Sequence, residues 1–194
     1  MPEQVLYLVA GLGNPGPEYA GTRHNAGFMV IDALAEKYKI RVQRRKFDVL
    51  FGKGRIGGVE AVLAKPLAYM NRSGPPLRQL ADFFRIQSQE MVIVHDDIDL
   101  AFQRLKIKEK GGDGGHKGIR SIINAFGGGD FIRVRLGVGR SRNDAGVVNH
   151  VLKAFDRDEM AAWDEILRRA CEAVVTILDK GPKDAMNCYN RKLS

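Results

Sequence analysis

An α/β fold is expected from three features of the 194-residue chain: short apolar runs that stop at polar or glycine-rich turns, helical apolar stripes between them, and a size that suits one core. The first run, Val5, Leu6, Leu8, Val9 and Ala10, carries no charge and suits a strand covered on both faces. Gly11, Gly13 and Gly16 then let the chain turn at its carboxyl end, where ligands sit in α/β proteins. Residues 91–94 read as a second buried strand, ending on His95, Asp96 and Asp97. The length is short for two cores, so one domain over residues 1–194 is expected.

The remaining elements follow from periodicity and turn chemistry. A helical pattern begins near Phe28 and runs through Ile31, Leu34, Ala35 and Tyr38. After a basic stretch, residues 37–46, two alternating segments at 49–56 and 60–64 form a hairpin hinged at Gly57 and Gly58. Ser73 is the expected N-cap of a helix with Pro75 and Pro76 in its first turn and Leu77, Leu80, Phe83 and Phe84 inward. A glycine loop, residues 111–118, leads into a helix over 119–125. Asp156 and Glu159 make a capping pattern for a long helix stopped by Gly181 and Pro182. Its buried stripe is Met160, Trp163, Leu167, Ala170, Cys171, Val174 and Leu178, so Trp163 belongs to the core. Two cysteines are too few for a disulfide framework, and Cys171 is expected as a buried thiol in a reducing cytoplasm.

A net charge of +8 implies an acidic partner. With no apolar run near the length that spans a bilayer, nucleic acid is the better candidate than membrane. Strand alternation places Arg104, Lys106, Lys108 and Lys110 on one face, about 6.6 Å apart, as a ladder for phosphates. The plain alternative is an edge strand protected by its charges. A strand over 131–138 repeats the pattern with Arg133 and Arg135.

Several chemistries fit poorly. Gly11, Gly13 and Gly16 have the spacing of a dinucleotide fingerprint, yet Pro15, Pro17 and Gly21 delay the helix and Asp32 falls inside it, away from any ribose. In the second glycine loop a glycine, not Ser or Thr, follows Lys117, which excludes a nucleotide-triphosphatase loop. No serine sits in a nucleophile elbow, neither cysteine has a nucleophile's setting, and the His-Glu-x-x-His pattern is absent. His95, Asp97 and Asp99 could meet one metal ion at a turn, which keeps a metal-dependent phosphoesterase as a third choice. What remains is a histidine acting on water. Among the four histidines, His24 follows the strand-end loop, and Asp96 could hold its second nitrogen and favour the proton-accepting tautomer.

Five blocks, GLGNPG at 11–16, TRHNAG at 22–27, YMNRSG at 69–74, HDDIDL at 95–100 and GGHKG at 114–118, together make the chain resemble bacterial peptidyl-tRNA hydrolases. The resemblance implies a monomeric, cytoplasmic three-layer α/β/α sandwich with a mixed, largely parallel twisted sheet. It also implies an esterase acting on peptidyl-tRNA with neither metal nor cofactor. Carried over, it makes His24 the base, Asp96 its stabiliser, and Asn14 the residue that separates N-blocked peptidyl esters from free aminoacyl esters. Tyr19, Tyr69 and Asn71 would contact the tRNA end, with Met70 and His116 beside it, and Lys106, Lys108 and Arg135 would clamp phosphate. Two positions depart from the family: Lys117, carried over as a substrate-binding position, stands where the family usually has an asparagine that contacts substrate, and Ala68 where threonine is common. A non-catalytic RNA-binding protein on the same fold is the alternative. Binding alone needs neither His24 nor Asp96, but Lys117 keeps that alternative open.

Overall fold

The computed structural model describes residues 5–140 and 146–191. Seven strands form one mixed sheet: β1 (Tyr7–Gly11), β2 (Arg44–Lys46), β3 (Val49–Ile56), β4 (Val59–Pro66), β5 (Met91–Asp97), β6 (Leu105–Lys108) and β7 (Ile132–Gly137), in the spatial order β2-β3-β4-β1-β5-β7-β6. The central four, β4, β1, β5 and β7, run parallel, and the strands at both edges are antiparallel. The helices are α1 (Ala26–Tyr38), α2 (Gly74–Phe84), α3 (Lys117–Phe126), α4 (Val147–Val151), α5 (Arg157–Lys180) and α6 (Pro182–Tyr189).

Alternation along β1 divides the core into two. Val9 joins Ile31 and Leu34 of α1 and Trp163 and Val174 of α5 on one face, while Leu8 and Ala10 join Leu77, Leu80, Ile119 and Ile122 of α2 and α3 on the other. Leu8, Val9 and Ala10 are wholly buried, as a strand covered on both sides requires. The sandwich layering expected from the resemblance is present.

The glycines at the end of β1 serve packing. A Cβ on Gly11 would overlap the carbonyl oxygen of Gly27, and one on Gly27 would overlap the backbone of Leu12 and Val94. Helix α1 therefore starts directly against the ends of β1 and β5, and the residues just before it are delivered over those ends. That contact is what positions His24.

Several local expectations hold. β3 and β4 form the hairpin, with Gly57 and Gly58 at positive φ. Helix α5 opens on a reciprocal capping box, Glu159 N–H donating to Asp156 at 2.8 Å and Asp156 N–H to Glu159 at 2.9 Å. Trp163 is fully buried, and burial pushes the Cys171 thiol up to about 11. Others are corrected. Helix α1 starts at Ala26, before Phe28, because the short 3₁₀ turn Arg23–Asn25 feeds straight into it. Ser73 does not cap α2: its hydroxyl bonds back to the Met70 carbonyl at 2.8 Å, and the Gly74 N–H is taken by the Ser121 hydroxyl at 2.9 Å. Met160 is exposed, since the buried stripe of α5 begins only at Trp163. Strand β5 continues through Asp97, and α4 and α6 are additional elements.

The first and last thirds of the chain are stitched together at Arg23. Its guanidinium donates to the carbonyls of Lys153 and Ala154 at 3.2 and 2.9 Å, pairs with Glu159 and lies over the Phe155 ring. Thr22 bridges Ala154 alongside. Arg23 is buried, so these contacts exclude water from the turn that carries His24.

Candidate active site

A cavity of about 640 Å³ opens over the carboxyl ends of β1 and β5 and is lined by His24, Asp96, His116, Asn14, Tyr69, Met70, Asn71 and Lys117, among others. The apolar side chains of Ile98, Val147, Val148, Val151 and Leu152 line it too.

Asp96 is buried between two imidazoles. His24 Nδ1 lies 2.9 Å from one carboxylate oxygen and His116 Nε2 lies 2.8 Å from the other. Burial alone would push this carboxyl up, but the two histidines outweigh it, His116 more than His24, and hold it well below the usual carboxylate range. An ionised carboxylate only accepts, so both facing nitrogens carry the proton. For His116 a second observation agrees. It is the N-cap of α3, and its Nδ1 accepts the N–H groups of Gly118 and Ile119 at 3.1 and 3.3 Å. A nitrogen that accepts two amides bears no hydrogen, so His116 is held as the neutral Nε2–H tautomer. His24, donating through Nδ1, leaves Nε2 as its second ring nitrogen on the cavity side.

Asn14 is fixed from both sides. Asn25 accepts the Asn14 backbone N–H at 2.9 Å and donates its side-chain amide to the Asn14 carbonyl at 2.9 Å. The Asn14 side-chain oxygen accepts the Met70 N–H at 2.8 Å. With its oxygen engaged, the Asn14 amide presents its NH₂ group as the free end. Asn25 was not singled out from sequence, although its place beside His24 in the TRHNAG block was the available signal.

The metal alternative loses its ligands. His95 is buried with Nδ1 2.7 Å from the Asp96 carbonyl oxygen and its ring edge-on to His116, so it does not converge with Asp97 and Asp99. Asp97 pairs with Arg135 at 2.7 Å and Asp99 with Arg140. Among the described residues His24, Asp96 and His116 do bring potential ligand atoms within 4.8 Å, but as they stand the nitrogens facing Asp96 carry hydrogen bonds.

Of the expected basic face, Lys106, Lys108 and Lys110 are exposed and Arg104 is half-buried. Lys106 and Lys108 are exposed on β6 and, with Arg135, line a separate groove of about 370 Å³ at the sheet edge. Arg133 is buried instead. It donates to the carbonyls of Gly111, Gly112 and Gly129 and packs over Phe131, pinning the glycine loop to the sheet. Tyr19 lies in a 3₁₀ turn, half-buried, and is not among the residues lining the cavity.

His95 also sets a pH dependence. Its Nε2 has no partner, and burial holds its pKa well below the ordinary 6.5. The unfolded chain takes up a proton that the folded chain refuses, so stability present at pH 7 is lost as pH falls below about 6.5. The fall in Tm between pH 7 and 5 is expected to be smaller in the His95→Asn variant; parallel curves would contradict this.

A family model described as peptidyl-tRNA hydrolase matches residues 8–194. The chain belongs to the peptidyl-tRNA hydrolase family. It is 45% identical over 185 residues to the peptidyl-tRNA hydrolase of Caldanaerobacter subterraneus, covering 95% of this chain and 100% of that one. The Clostridium tetani member is 43% identical, with 95% and 97% covered. The solved peptidyl-tRNA hydrolase of Acinetobacter baumannii superposes with a TM-score of 0.89 at 38% identity, covering 95% of this chain and 94% of that one. A peptidyl-tRNA hydrolase complexed with N-propanol superposes with a TM-score of 0.90 at 36% identity, with the same coverage. Among the described residues no helix is long and apolar enough to cross a membrane.

Proposed function

We propose that this chain hydrolyses the ester joining a peptide to the terminal ribose of tRNA, with His24 Nε2 as general base on water. The observation that carries the reading is the shared Asp96 carboxylate, whose two hydrogen bonds leave His24 with Nε2 as its second ring nitrogen on the cavity side. As water attacks the ester carbonyl, its proton passes to His24 Nε2, and Asp96 stabilises the imidazolium that forms. The Asn71 amide, at the cavity wall, donates to the oxyanion. Collapse breaks the bond to the ribose oxygen, which takes the proton back from His24. Water is thereby added across the ester, and every proton is accounted for without metal or cofactor. The enzyme acts as a cytoplasmic monomer in this account, with Tyr19 and Tyr69 contacting the tRNA end.

Asn14 supplies selectivity. Its free NH₂ group meets the carbonyl of an N-blocking acyl group, whereas a free α-ammonium would place donor against donor. Asn14→Asp keeps the acceptor for Met70 N–H and reverses the free end. The ratio of kcat/KM for N-acetylaminoacyl-tRNA over free aminoacyl-tRNA is expected to fall about tenfold or more, and an unchanged ratio would refute the role. Lys106, Lys108 and Arg135 clamp phosphate. In the Lys106→Ala, Lys108→Ala double variant the slope of log affinity against log salt should flatten by about 1.4–1.8, and a slope equal to that of the parent would assign those lysines to solubility.

A further inference from the structure

The catalytic cavity shares Asn71 and Lys117 with a second groove, of about 580 Å³, lined also by Pro75, Arg120, Ser121 and Asn124. The two compartments differ in chemistry. The cavity has an apolar wall from α4, where Val147, Val148 and Leu152 are exposed. The groove between α2 and α3 is lined by amides, a hydroxyl and two cations, with no carboxylate among its lining residues. Arg120 already answers Asp113 of the glycine loop at 3.0 Å. Lys117 is exposed on the rim between the compartments, with no hydrogen bond or ion pair to another described residue. An ammonium donates three hydrogen bonds and accepts none, so its partner must be rich in acceptors and negative. Chain continuity adds a direction: the glycine loop leads from Lys106 and Lys108 on β6 to Lys117.

A peptidyl-tRNA ester is itself two-sided, with an acyl chain on one side of the reacting carbon and a ribose-phosphate chain on the other. We propose that the α2–α3 groove seats the last nucleotides of the RNA, with Lys117 bound to a phosphodiester, while the acyl chain lies along the α4 wall. The inference rests on the proposed hydrolysis and adds the orientation of substrate across the site. It also gives the charge of Lys117 a partner.

The test compares two short esters, N-acetylphenylalanyl-adenosine, which has no phosphate, and N-acetylphenylalanyl-CCA, which has internucleotide phosphates. In Lys117→Gln, the ratio of kcat/KM for the CCA ester over the adenosine ester is expected to fall about 3–10-fold at low salt, mostly through KM. The difference should shrink as salt is raised. An unchanged ratio would overturn the assignment, leaving Lys117 as a surface charge. If the variant instead changes the preference between N-acetylaspartyl and N-acetylphenylalanyl esters of adenosine, Lys117 faces the acyl chain and the proposed orientation is reversed. Failure of the unaltered enzyme on both esters would strike at the hydrolytic reading itself, which keeps the two failures distinct.

Discussion

Replacing His24 with Ala will lower turnover of N-acetylaminoacyl-tRNA by at least about 10² and as much as 10⁴, with tRNA affinity nearly intact. The loss is confined to turnover because the imidazole shares its hydrogen bond with Asp96 and not with the basic strand β6, where affinity is expected to reside. Single-turnover rates and equilibrium binding, measured on the same preparation, separate the two effects. Unchanged turnover would remove the base; a parallel collapse of binding would mean that His24 holds the substrate.

Asp96→Asn should be as damaging, for a reason that lies in His116. The substituted amide has one oxygen where the carboxylate had two. His116 cannot change tautomer without giving up the amides of Gly118 and Ile119, so it claims that oxygen. The new NH₂ group then faces His24 Nδ1 and forces the proton onto Nε2, which can no longer accept one from water. A loss of about 10³–10⁴ is expected, as when the corresponding group of a catalytic triad is converted to its amide. Converting His116 to Asn in the same chain gives the amide pair freedom to rearrange, so the double variant should lose less than the product of the single losses. Strict multiplication of the two would show that His116 does not set the tautomer.

The residues to which this chemistry is assigned differ in how readable they are from sequence. His24 and Asp96 stand at the ends of apolar runs, and in an α/β fold strand ends meet, so local pattern and fold class together bring them near one another. His116 was placed beside the substrate only through the family resemblance. Its hold on Asp96 depends on α3 starting where it does, which is a tertiary fact. Arg133 was misread because alternation predicts a side chain's face but not what covers it. Its partners come from Gly111, Gly112 and Gly129, loop residues whose approach no strand periodicity records. Helices α4 and α6, of five and eight residues, are too short for an apolar stripe to stand out. The basic stretch before the hairpin concealed β2, three exposed residues that pair only with β3. Ser73 had the right residue type for a cap and the wrong backbone, αR where an N-cap is extended.

The bonds of Arg23 to the carbonyls of Lys153 and Ala154 and to Glu159 carry a consequence for how the enzyme comes into being. Synthesis produces the turn bearing His24 near the start and its fastening more than a hundred residues afterwards, as the separations of 130, 131 and 136 record. A nascent chain still lacking that late segment has the imidazole and its Asp96 partner but not the Arg23 clasp on the turn. The fastened form of that turn is thus acquired late in translation, when the emerging final third reaches back to the opening turn.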